Sequence, residues 1–94
     1  MARLSPAIRY TETADGHVLF DRHRGRMLCL NPVGSTILEL ALEGLQEEEI
    51  VSRIATEYVV DVRTARTDVR EFLQSLCNHH IFEEGQPAVP RTDQ

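Results

Sequence analysis

Lysine is absent, and all ten basic residues are arginine against fifteen acids. The formal net charge of -5 argues against a general nucleic-acid binder, because phosphate neutralisation supplies most non-specific affinity. No run approaches the roughly 20 apolar residues that a membrane span needs. The first residues, Met1-Ala2-Arg3-Leu4-Ser5-Pro6, lack the apolar stretch of a secretory signal, so the expected compartment is the cytoplasm. Cysteine is scarce: Cys29 and Cys77 stand far apart and form neither a CxxC pair nor a zinc spacing. Both read as half-buried thiols. The five glycines are scattered at turn positions, so there is no glycine-rich phosphate loop. His79-His80 is the one histidine cluster, and neighbours on a helix point about 100° apart, so the two cannot share a metal. Neither a cofactor, a metal site nor a catalytic constellation is expected.

What the 94 residues do contain is enough for one small domain, with 41% hydrophobic residues to build its core. The charge is uneven. Residues 1–30 carry five arginines against three acids, and residues 31–94 carry five against twelve. The expected organisation is a flexible N-terminus over residues 1–6, a domain over 7–84, and a disordered proline-containing tail over 85–94.

Residues 7–30 read as strands. Ile8-Arg9-Tyr10-Thr11-Glu12-Thr13 mixes β-branched and aromatic residues with partial alternation. Asp15-Gly16 is a turn signal, His17-Val18-Leu19-Phe20-Asp21 is a second strand, and Gly25 supplies the next turn. Arg26-Met27-Leu28-Cys29-Leu30 is a third strand. Turns this short force antiparallel neighbours.

Residues 31–83 read as three helices. Asn31-Pro32 pairs a capping residue with proline at the first helical position, and Gly44 stops that helix. The second opens at Gln46, with Glu47, Glu48 and Glu49 at the positive end of its dipole. Val59-Val60 reads as an extended link. Asp61 caps the third helix, whose spacing buries Val62, Ala65, Val69, Phe72, Leu73 and Leu76. The expected fold is α+β and winged helix-turn-helix-like: a three-stranded antiparallel meander, then three helices.

Leu30-Asn31-Pro32-Val33-Gly34-Ser35-Thr36-Ile37-Leu38-Glu39-Leu40 resembles the LN-x-x-(small)-x-x-I-L-x-L signature of the PqqD family. Glu49-Ile50-Val51 resembles that family's E-I-V on the second helix. Asp68-Val69-Arg70-Glu71-Phe72-Leu73-Gln74-Ser75-Leu76 resembles its third helix, D-V-x-x-F-L-x-x-L. Two positions depart from the pattern. Gln46 stands where the family has Thr or Ser, and Asn78-His79-His80 replaces a glycine-containing helix end.

The resemblance implies a non-catalytic peptide-recognition domain of ribosomally made, modified natural products. It implies binding of a precursor's leader segment, with the free-standing, lysine-free form most similar to the leader-binding protein of lasso-peptide pathways. The implied partners are the precursor leader, a separate transglutaminase-like leader peptidase and an ATP-dependent macrolactam cyclase, with neither nucleic acid nor membrane involved. The residues add support of their own. The third strand is nearly all apolar and contains no proline, so its edge is a template for an added strand. The expected site is therefore Arg26, Met27, Leu28, Cys29 and Leu30 on that strand. Facing it, Val69, Leu73 and Leu76 form the helix wall, with Arg66 and Arg70 at its rim. Glu39, Glu43, Glu47, Glu48 and Glu49 read as a solvated acidic face that could also meet an enzyme partner. The alternative function is a winged-helix DNA-binding regulator, suggested by Arg63, Arg66 and Arg70 on the third helix and opposed by the acids around them.

Overall fold

The computed structural model describes residues 3–82. The expected tail over 85–94 lies outside the described residues.

Strand β1 spans Ile8–Thr13, β2 Gly16–Asp21 and β3 Arg26–Leu30. They form one antiparallel sheet in the order β1-β2-β3. Helices α1 (Pro32–Leu42), α2 (Glu47–Glu57) and α3 (Val62–Asn78) follow. This is the α+β meander-plus-three-helices order that the sequence predicts. Leu4 and Ser5, within the stretch expected to be flexible, pair with the chain just beyond α3. Leu4 bridges Phe82, and the Ser5 N–H donates to the Ile81 carbonyl at 2.8 Å.

The period-2 alternation of a strand decides which side chains the sheet buries. Leu19, Leu28 and Leu30 turn inward with Tyr10, toward α1. Val18, Phe20, Met27 and Cys29 turn to the opposite face. There Phe20 is 38% and Met27 61% exposed. Cys29 is exposed too, not half-buried as expected, because among the described residues no helix covers that face of β3. At the sheet–α1 junction the rings of Tyr10 and His17 stack at 4.6 Å, and His17 Nε2 lies 3.7 Å from Glu39 Oε2. Burial, with the charges of Glu39 and Glu12, raises the Tyr10 hydroxyl above its ordinary pKa.

The helices pack an apolar stripe each into one core. Ile37 and Leu38 come from α1, Ile50 and Ile54 from α2, Leu73 and Leu76 from α3. Each such side chain contributes about 1.5–3 kcal/mol by leaving water. The N-caps are those read from the sequence. Asn31 Oδ1 accepts from the Gly34 N–H at 2.8 Å, and Asp61 Oδ2 accepts from the Arg63 N–H at 3.0 Å. At α2 the unusual Gln46 is served from the other side, its N–H donating to Glu49 Oε1 at 2.8 Å.

All three helices end the same way. Gly44, Val59 and His80 follow the C-caps with positive φ of 98°, 51° and 57°. The next residue then donates back into the last turn: Leu45 to Leu40, Val60 to Ala55 and Ile81 to Leu76. Val59-Val60 is therefore not an extended link, since Val59 is left-handed and 88% exposed. Val62 is a second correction. It lies on the core side of α3 but in a first turn that overhangs the core, so it is exposed.

Candidate peptide-binding edge

Strand β3 pairs with β2 alone, so among the described residues its other side is an open sheet edge. Every backbone group needs a partner, and alternate residues of an antiparallel edge direct N–H and C=O away from the sheet. Proline and inward-pointing charge, which blunt natural edges, are missing between Met27 and Leu30. Beside this edge the structure leaves a shallow hollow lined by Leu19, Asp21, Arg26, Met27, Leu28, His79 and Ile81. Leu28 is half-buried in it, and Ile81 is buried beneath it.

The α3 residues expected to wall this hollow do not line it. Successive helix residues advance about 100°, so Val69, Leu73 and Leu76 form one stripe. All three are fully buried in the core and none reaches a groove. Arg66 and Arg70 lie on the flank toward α2. There Arg66 Nη2 donates to Glu48 Oε1 and Arg70 Nε to Glu47 Oε2, both at 2.9 Å. The bond from Arg66 holds the Glu48 carboxyl below its ordinary range. These two arginines are structural, and they do not rim the β3 hollow. Phe72 and His79, seven residues apart, share the other flank. Phe72 rests its ring over Gly34 at the start of α1, where a Cβ would meet ring carbons at 3.0 and 3.1 Å. His79 reaches the hollow at the far end of β3. Its Nδ1 donates to the Ser75 carbonyl at 2.8 Å, which leaves Nε2 as the second ring nitrogen.

Of the expected site residues, Arg26, Met27 and Leu28 do line this hollow. Cys29 stands on the uncovered outer face, and Leu30 is buried at the edge of the core. Phe72, His79, Ile81 and Asp21 were not among the expected residues. For Phe72 and His79 the signal available was the mixed apolar and polar stripe alongside the purely apolar one on α3; for Asp21 and Ile81 helical periodicity offered none.

Asp21 is buried where β2 enters the 22–25 turn. Burial alone would raise its carboxyl pKa. The N–H groups of His23 and Arg24, at 3.0 and 3.1 Å, and the Arg24 guanidinium, at 3.3 Å, outweigh that and hold it below the ordinary range.

The sequence profile of the family described as "Coenzyme PQQ synthesis protein D (PqqD)" matches residues 16–81, from the start of β2 to the end of the α3 cap. The chain belongs to the PqqD family. The match spans both the open β3 edge and the residues His79 and Ile81 that line the hollow beside it. Two solved structures have the same fold as this PqqD-family chain. One is TbiB1 in complex with the TbiA(beta) leader peptide, 38% identical, covering 86% of this chain and 94% of that one with a TM-score of 0.76. The other is lasso peptide synthetase B1 complexed with the leader peptide, 26% identical, covering 88% and 98% with a TM-score of 0.79. No curated protein sequence matches the chain. No helix among the described residues is long and apolar enough to cross a membrane.

Proposed function

We propose that this PqqD-family domain binds the leader segment of a ribosomally made precursor peptide, of the lasso class, by strand addition to β3. The observation that carries the reading is an open, proline-free edge beside a small apolar hollow. It occurs in a chain 38% identical to a protein solved with a leader peptide on it. Main-chain pairing along Arg26–Leu30 supplies affinity that tolerates sequence change, at about 0.5–1.5 kcal/mol net per hydrogen bond. Leader side chains entering between Leu28 and the Phe72–His79 flank of α3 supply selectivity. The domain itself does no chemistry. It presents the precursor, in the cytoplasm, to a separate transglutaminase-like leader peptidase and an ATP-dependent macrolactam cyclase.

The DNA-binding alternative loses its main support, because Arg66 and Arg70 are occupied by Glu48 and Glu47. The test is a titration of the full chain with labelled TbiA(beta) leader peptide beside one with duplex DNA. Saturable peptide binding is expected. The substitutions Leu28→Pro and Cys29→Pro sharpen the test, because adjacent strand residues direct their N–H groups to opposite sides. One of the two removes an open-edge donor while leaving the β2–β3 ladder intact. That variant should stay folded by circular dichroism and lose the peptide. A DNA complex with no peptide binding, or two folded proline variants with unchanged affinity, would overturn the proposal.

A further inference from the structure

We infer that the Arg26 end of β3 is a cationic mouth that recognises acidic residues on the C-terminal side of the added strand. This deepens the leader-binding reading and rests on it.

Among the described residues the charges at that end are one-sided. The 22–25 turn presents Arg22, His23 and Arg24, all exposed, and Arg26 follows at the first position of β3. The single carboxylate among them, Asp21, is 5% exposed and already engaged by Arg24 and two backbone N–H groups. Its bonds fix the turn and offset the charge of Arg24 alone, leaving Arg22 and Arg26 without an acidic partner among the described residues. The Gly25 N–H donates to the Asp21 carbonyl at 2.7 Å, and the Arg22 N–H to the Ala7 carbonyl at 3.0 Å. The Arg22 guanidinium donates to the Pro6 carbonyl at 2.8 Å, a contact that leaves its positive charge uncancelled. Among the described residues Arg26 has no carboxylate within ion-pair distance, and it borders the hollow together with His79. A cationic surface of this kind stands out on a chain whose net charge is -5.

Polarity then selects which part of the peptide meets it. Both pairings in the sheet are antiparallel. A fourth strand continuing that pattern passes Leu30 first and Arg26 last, so the residues after the paired segment emerge over the mouth. Backbone pairing alone leaves register and direction weakly fixed, since a slip costs few main-chain bonds. Carboxylates placed after the strand would hold both, through pairs with exposed arginines that each contribute modestly.

The probe is a random 20-residue peptide library displayed for selection on the full chain. Enriched peptides should carry a strand-forming segment followed by Asp or Glu, and they should lose binding to the folded proline variant described above. The best of them should bind Arg22→Glu/Arg26→Glu about three- to tenfold more weakly. Selection on that variant should abolish the acidic preference. If the double variant does not fold, Arg26→Gln carries the same comparison. Replacing the acids of the best peptide by Asn and Gln should remove its dependence on salt between about 0.05 and about 0.5 M. Enriched β3-dependent peptides without acidic bias, or with the acids before the strand, would overturn this inference and leave leader binding standing. Enrichment of no β3-dependent peptide would overturn both.

Discussion

Nε of Arg70 lies 2.9 Å from Oε2 of Glu47, and that bond ties the middle of α3 to the first turn of α2. Glu47 is buried, whereas the Arg70 side chain is about half exposed. Glu47 also stands in the first turn of α2, where the dipole favours negative charge. Arg66 and Glu48 repeat the link one turn away, with both partners in solvent.

Removing the two arginines should therefore have unequal effects on stability. Arg70→Ala leaves a buried carboxylate without its donor and should cost about 1–3 kcal/mol. Arg66→Ala removes a solvent-screened pair and should cost far less than Arg70→Ala. Urea denaturation measures both. Leader affinity should not change in either folded variant. A loss of affinity without a loss of stability would return these arginines to the peptide site.

Leu73 and Phe72 should separate in the opposite way. Leu73 is fully buried, so Leu73→Ala should destabilise the domain by about 2–5 kcal/mol. Phe72 is half-buried over Gly34, on the flank it shares with His79, which lines the hollow beside β3. Phe72→Ala should weaken leader binding by about 1–3 kcal/mol, the range for a packed interface anchor. The pair of measurements is a thermal melt and a peptide titration. Equal affinity for wild type and Phe72→Ala would remove this flank from the groove.

The strands and helices were legible because local signals agreed with the final packing: Asp15-Gly16 for the first turn, Asn31-Pro32 and Asp61 for helix starts. The helix ends were harder. Left-handed residues close α1, α2 and α3, but only Gly44 announces itself, while Val59 and His80 take that conformation against their preference. Tertiary contact decides it, as with Ile81, which is buried immediately after His80. The site was half legible. Periodicity located the apolar edge of β3 and the apolar stripe of α3. It could not say which flank of that stripe faces the sheet, because that depends on where α2 lies. Charge complementarity carries that information: Glu47 and Glu48 open α2, and Arg66 and Arg70 stand one turn apart on α3.

Asp21 sets a pH dependence. Its folded carboxyl titrates below the ordinary value, so its contribution is present above the unfolded pKa of about 3.9 and drains away as pH falls through the lower, folded value. Asp21→Asn keeps an oxygen acceptor for the His23 and Arg24 N–H groups and removes the charge. Stability at neutral pH should fall, and the acid limb below about pH 4 should become shallower. The two proteins should converge at the most acidic pH at which both remain measurable. Parallel stability–pH curves would show that Asp21 is not the group responsible.

Gly16 has no room for a side chain. Its φ is 146°, and a Cβ there would overlap the carbonyl oxygen of Leu30, the last residue of β3. Neither problem can be relieved by a side-chain rotation, because the obstacle is backbone. The first turn and the end of the binding edge are thus locked together. Gly16→Ala should cost about 2–4 kcal/mol, the scale of a backbone clash combined with a disfavoured dihedral. Gly25 is the control. Its φ of 65° is also left-handed, but nothing lies within 4 Å of its would-be Cβ. Gly25→Ala should therefore cost only about 1–2 kcal/mol, from conformation alone. Urea denaturation of the two variants side by side measures the difference. Equal losses would mean that the β3 end moves aside freely. The leader site would then tolerate a displaced Leu30, contrary to an edge held rigid for strand addition.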